Sequence, residues 1–297
     1  MPDFARMRDQ MENGAGFIAA LDQSGGSTPK ALALYGVDAA EYDGEEAMFA
    51  EIQRMRARII SSPDFTSQKV IGAILFEKTL SEQIGGQAVP AYLWDKRGVV
   101  PFLKIDKGLM DESNDVQVLK PIPGLADTLA AARETGIFGT KERSVVHGAN
   151  AAGIEAIVAN QFEVAHAVME AGMVPIVEPE VNINSATKAE AEAMLADALM
   201  RHAAQLGEGQ NIMLKLTLPE QPGLYDALAD HPRVMRVVAL SGGYSTQDAS
   251  ARLSQNHKMI ASFSRALTEG LQRDMDEDGF RAALGGNIDQ IYRASIA

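Results

Sequence analysis

VPIVEPEV (residues 174–181), KAEAEAMLADALMRHAAQL (188–206) and NIMLKLTL (211–218) follow one another with only short breaks. The outer two are short apolar runs in which alternate residues fall on opposite faces, as in a strand. The middle stretch has helical spacing and is rich in Ala, Glu and Leu. A strand, a helix and a second strand in this order make a parallel pair. The same rhythm extends in both directions. Strand runs are read at Phe17–Asp22, Val70–Phe76, Val99–Asp106, Arg143–His147, Arg233–Ser241 and Met259–Phe263. Helices are read at Glu45–Ser61, Gly124–Thr135, Ile154–Ala171, Leu224–Asp230 and Thr246–Leu253, with one more at Ser264–Arg273. Eight strand runs fit a closed (β/α)8 TIM barrel of the α/β class, with an open doubly wound sheet as the alternative. Residues 1–297 are read as a single barrel domain, with extra loops or helices between the first and second strands and between the third and fourth.

Alternation also sorts the charges. On the strand at 211–218, Ile212, Leu214, Leu216 and Leu218 share the face expected under the helices, which leaves Lys215 pointing inward. The same count turns Asp22, Lys104, Lys141, Arg143, Glu178 and Glu180 inward. Burying charge is costly unless it is paired. A single such residue is unremarkable, but seven on five strands suit a polar reaction site.

Lys215 lies in an apolar strand, where desolvation and neighbouring cations both lower an ammonium pKa. A free amine attacks carbonyls and forms a Schiff base. Glu178, Glu180 and Asp22 are acid–base candidates. Ser241, Gly242 and Gly243 follow the seventh strand and Arg265 follows the eighth, where barrels commonly hold a phosphate. A helix starting there would add a favourable dipole. The hydroxyl- and glycine-rich loop DQSGGSTPK (22–30), leading to a helix with Pro29 in its first turn, is a second anion-site candidate together with Lys104.

Composition narrows the classes. Lys plus Arg total 27 against 40 for Asp plus Glu, a net charge of −13, which argues against a nucleic-acid protein. With no cysteine, disulfides, thiolate metal sites and cysteine nucleophiles are excluded. The five histidines have no HxH or HExxH spacing, and neither GxGxxG nor a P-loop is present. No metal or other cofactor is therefore expected. No apolar run reaches membrane-spanning length and the first residues lack a signal-peptide core, so the expected setting is cytoplasmic with no membrane partner. Oligomeric state stays open, a homo-oligomer included.

The stretches AALDQSGGS (19–27), LKIDKG (103–108), KER (141–143), PIVEPE (175–180), LKL (214–216), LSGG (240–243) and FSRAL (263–267), in this order, resemble class I (Schiff-base) fructose-bisphosphate aldolase in its shorter bacterial form. The resemblance covers nearly the whole chain. It implies reversible cleavage of fructose 1,6-bisphosphate to dihydroxyacetone phosphate and glyceraldehyde 3-phosphate. Lys215 would form the imine, Glu178 would accept and relay protons beside Glu180, and Asp22 would take the C4 hydroxyl proton. Lys141 and Arg143 would orient substrate and assist proton transfer. Ser241, Gly242, Gly243 and Arg265 would hold the 1-phosphate, with Ser24, Ser27 and Lys104 near the 6-phosphate. Gln23 replaces the glutamate usual in larger relatives, and Glu142 stands where an aromatic is common. Those relatives protonate the enamine with a terminal tyrosine; Tyr292 is a candidate for that role or for plain helix anchoring. Another Schiff-base barrel aldolase or transaldolase is the alternative.

Overall fold

The computed structural model describes residues 2–297. Eight parallel strands follow one another around the sheet in chain order: β1 (Phe17–Leu21), β2 (Val70–Leu75), β3 (Val100–Lys104), β4 (Gly139–Val146), β5 (Val174–Val181), β6 (Ile212–Thr217), β7 (Val234–Leu240) and β8 (Met259–Ala261). The ring closes between its last and first strands, where the Ala20 N–H donates to the Phe263 carbonyl at 3.4 Å. The result is the closed TIM barrel rather than the open sheet. Helices Gly44–Ser61, Leu125–Glu134, Ala151–Glu170, Lys188–Ala203 and Thr246–Leu253 lie where the periodicity puts them, within a few residues.

The charged residues themselves obscured one strand. β4 begins at Gly139, four residues before the apolar run at Arg143–His147, because Lys141, Glu142 and Arg143 interrupt its hydrophobicity. Between β1 and β2 run two helices, Ser27–Leu34 and Gly44–Ser61, and between β3 and β4 the extra chain adds a short strand, Val116–Gln117, antiparallel to β4. The helix expected over Ser264–Arg273 is a single turn, Arg265–Thr268, followed by Gly270 at φ +71°. Glycine adopts that left-handed conformation without the steric cost other residues incur. A longer helix, Glu277–Ser295, comes after it, outside the helices read from the periodicity; Asp276 caps it by accepting from the Gly279 N–H at 2.7 Å.

Two apolar layers result. One lies between strands and helices. The other fills the lower lumen, where Ile18, Ile74, Phe102, Phe138, Ile176 and Met213 meet. The N-terminal helix Phe4–Asn13, also unanticipated because its sequence is charged with both signs, closes this floor. Met7 and Met11, one turn apart, are buried against the lumen cluster. Arg236 holds the helix's C-terminal end by donating to the carbonyls of Met11, Glu12 and Gly14 at 2.9, 2.7 and 3.2 Å. Among the described residues no helix is long and apolar enough to cross a membrane.

Phe102 is fully buried and meets Phe138 edge-on, ring centroids 5.6 Å apart. Phe102→Ala should therefore cost about 3–5 kcal/mol of stability, read as a lower urea midpoint at unchanged slope. A cost below about 1 kcal/mol would mean that the floor refills the cavity.

Candidate active site

Strand register builds the site. β5 and β6 pair Ile176 with Met213 and Val177 with Leu214, which brings Glu178 and Lys215 side by side at the upper end of the lumen. β3 and β4 pair Lys104 with Lys141, and β4 and β5 pair Arg143 with Glu178. Above the apolar floor the inward positions thus carry charges of both signs, with Lys104 beside Lys141 and Arg143 beside Glu178.

Their geometry forms one chain. Lys215 Nζ lies 3.0 Å from Glu178 Oε1. Lys141 Nζ lies 3.0 Å from Glu178 Oε2 and 2.7 Å from Asp22 Oδ2. Lys141, Glu178 and Lys215 are all buried. Burial alone would raise the Asp22 carboxyl. The charges of Lys141, Lys215 and Lys104 outweigh it and hold the group well below the usual carboxylate range. Burial would likewise lower the Lys141 ammonium, but Asp22, Glu178 and Asp106 raise it above the ordinary lysine value.

Two further ion pairs flank the chain. Arg143 Nε pairs with Glu180. Lys104 pairs with Asp106 Oδ1 at 2.7 Å. Asp106 Oδ2 also accepts the Arg143 N–H at 3.3 Å, tying β3 to β4 beside the site. Asp106 is not among the charges assigned to the site from sequence; it stands two residues after Lys104 and so shares its face by strand alternation, which is the signal that points to it.

The phosphate candidates form a separate group. Gly242 and Gly243 have φ of +59° and +128°. A Cβ on Gly242 would stand 2.8 Å from Ile183 Cγ2, and one on Gly243 would stand 3.6 Å from Arg265 Nη2. Backbone turn and guanidinium therefore lie together, with Arg265 exposed. The following helix is one turn long, so an anion here would rely on the glycine backbone and Arg265 rather than on a helix dipole. In the first loop, Ser27 Oγ donates to the Ser24 carbonyl at 2.9 Å and accepts the Ser24 N–H at 3.0 Å, closing an exposed turn.

Residues 5–222 match the family model described as fructose-bisphosphate aldolase class-I. The chain is 53% identical over 287 residues to the fructose-bisphosphate aldolase class 1 of Synechocystis sp., covering 97% of this chain and 96% of that one.

The chain belongs to the class I fructose-bisphosphate aldolases.

Solved structures agree on the fold. The aldolase of Plasmodium falciparum, solved in complex with TRAP and a small-molecule inhibitor, superposes with a TM-score of 0.79 at 20% identity, over 99% of this chain and 94% of its own. Cgl0159 of Corynebacterium glutamicum gives 0.54 at 14% identity, over 99% and 92%. Within this aldolase chain, Tyr292 packs against the layer outside the barrel rather than in the lumen. Its helix ends near the foot of β8, where the Ala297 carbonyl meets His257 at 3.0 Å. That placement fits the anchoring role.

Glu142, between Lys141 and Arg143, faces the opposite way, under helix Ala151–Glu170. It is fully buried, its Oε1 has no partner and its Oε2 has only Thr140 Oγ1 at 3.4 Å. Burial, with the nearby Asp106 charge, pushes this carboxyl well above the usual range. The folded chain keeps the proton that the unfolded chain releases near the ordinary value of 4.5, so stability is penalised increasingly as pH rises above that value. Glu142→Gln should therefore raise the melting temperature at pH 8, with a gain that shrinks as pH falls toward 5. An equal gain at both pH values would contradict the buried neutral acid.

Proposed function

We propose that Lys215 is the imine-forming lysine of a reversible aldol cleavage of fructose 1,6-bisphosphate, yielding dihydroxyacetone phosphate and glyceraldehyde 3-phosphate. The supporting observation is the continuous chain from Lys215 through Glu178 and Lys141 to Asp22, with contacts of 3.0, 3.0 and 2.7 Å. Glu178 takes a proton from Lys215, and the free amine attacks the C2 carbonyl. Glu178, backed by Lys141, then supplies the proton with which the C2 oxygen leaves as water, giving an iminium. Asp22, kept ionised by Lys141, accepts the C4 hydroxyl proton as the C3–C4 bond breaks. The bonding pair moves to the iminium nitrogen and glyceraldehyde 3-phosphate departs. Protonation of the enamine at C3 and hydrolysis of the imine release dihydroxyacetone phosphate and regenerate the amine.

Arg143 and Glu180 form the side wall that orients the sugar. Ser241, Gly242, Gly243 and Arg265 bind the 1-phosphate. Ser24 and Ser27 bind the 6-phosphate with Lys104, which exchanges part of its contact with Asp106 for the anion. Each phosphate supplies binding energy that orients the reacting carbons over Lys215. On this reading residues 1–297 hold one catalytic domain acting in the cytoplasm on a small sugar bisphosphate.

Borohydride reduction in the presence of dihydroxyacetone phosphate should leave a covalent adduct on Lys215, located by peptide mass mapping. Lys215→Met should remove both the adduct and turnover; an adduct elsewhere, or none, would refute the assignment. Arg265→Ala should weaken substrate binding by about 1.5–3 kcal/mol, the scale of a hydrogen bond to a charged group. Its KM should rise accordingly, with imine trapping at saturating ligand retained. Fructose 1-phosphate should be cleaved with a lower kcat/KM than the bisphosphate, because the loop at Ser24–Ser27 then has no anion to hold.

A further inference from the structure

Arg56 is a cation that the catalytic scheme above does not use. It lies on helix Gly44–Ser61, is 1% exposed, and occupies the same buried stripe as Ile52, Met55, Ile59 and Ile60. Interior placement of a guanidinium is expensive unless its donors are satisfied. Nη1 donates to Gln53 Oε1 at 2.9 Å and to Thr79 Oγ1 at 3.3 Å. Nη2 donates to the Gln23 carbonyl and reaches Gln23 Oε1 at 3.4 Å. Nε has no partner. Burial pulls the guanidinium down to about 10, a loss that the Asp22 charge partly offsets, so the cation is within electrostatic reach of the site.

Gln23 carries the connection further. Its Nε2 donates to Ser264 Oγ at 2.8 Å and reaches the Ala20 carbonyl at 3.4 Å. Ser264 lies beyond β8 and Ala20 lies in β1, so the amide crosses the seam where the barrel closes. The backbone bond recorded at that seam, Ala20 to Phe263, is long at 3.4 Å. Asp22 immediately precedes Gln23, and Arg265 immediately follows Ser264.

We infer that Arg56 and Gln23 form a latch across the β8–β1 seam that positions the Asp22 carboxylate for carbon–carbon cleavage. Arg56 touches no reacting atom; it is a positioning residue acting through the Gln23 carbonyl. Gln23 suits its place because an amide both accepts from Arg56 and donates to Ser264 without adding a second negative charge beside Asp22. The inference rests on the roles of Lys215 and Asp22 proposed above. It separates two steps that a general structural role would impair together. Imine formation with dihydroxyacetone phosphate has no C4 hydroxyl and does not need Asp22, whereas cleavage of the bisphosphate does.

The test compares the unaltered chain with R56M, R56K and Q23A. For each, kcat and KM for bisphosphate cleavage are set beside the rate of borohydride trapping with dihydroxyacetone phosphate. R56M should lose roughly ten- to a hundred-fold in kcat, the scale of a small misplacement of a catalytic group, with KM and trapping rate little changed. R56K, which retains one donor for the Gln23 carbonyl, should recover part of the loss. Q23A, a substitution in a loop, should show the same split and provides the comparison if R56M does not fold. Unchanged cleavage in folded R56M or Q23A would overturn the latch, as would cleavage and trapping falling in parallel. Failure of the unaltered chain to be trapped would overturn the aldolase mechanism itself, and the latch with it.

Discussion

Two lysines and two carboxylates share the upper lumen with almost no access to water, and the site depends on their alternation. Asp22, Lys141, Glu178 and Lys215 balance to zero charge, each touching only groups of opposite sign within the chain. Removing Lys141 would leave Asp22 without its ion-pair partner and removing Glu178 would leave Lys215 without its own, at a cost much larger than an exposed ion pair contributes. The same low-dielectric setting that makes an error expensive strengthens the fields acting on a bound ketone. Parallel register maintains the arrangement, because strands hydrogen-bonded along their length hold neighbouring side chains at fixed spacing.

The barrel divides its interior accordingly. Below the charged layer, Phe102, Phe138 and Met213 pack with the methionines of the N-terminal helix and keep water from entering from below. Above it, the ends of the strands open onto glycine-rich turns whose backbone can approach an anion. Chemistry and stability therefore occupy opposite ends of the same strands. On the proposed roles, the covalent step uses the buried Lys215 and the 1-phosphate uses the exposed Arg265, which follows β8.

Much of this was legible from alternation. Inward placement of Lys215, Glu178 and Lys141 follows from a period of two, and the barrel follows from repeated strand–helix units. Other features were hidden for identifiable reasons. The helix Phe4–Asn13 carries charges of both signs, and its two buried methionines are too few to mark an apolar stripe. β4 looked short because the charges that matter most interrupt its hydrophobic pattern. Arg56 occupies a position on its helix where the period calls for an apolar residue, and that mismatch was the available signal. Glu142 reads as one more charge in a charged tripeptide until its direction is known.

The sequence by itself determined which residues share a face, because strand and helix periods are properties of the local chain. It also pointed to a class of chemistry, because a lysine in an apolar strand near several carboxylates suits imine formation. Tertiary structure decided the pairings: that Lys141 bridges Asp22 and Glu178, that Lys104 turns to Asp106, and that Gln23 crosses from the first strand to the eighth. Those contacts join residues as far as 241 positions apart. No local pattern encodes such partners; they are selected only when the sheet closes on itself and the register of every strand is set at once.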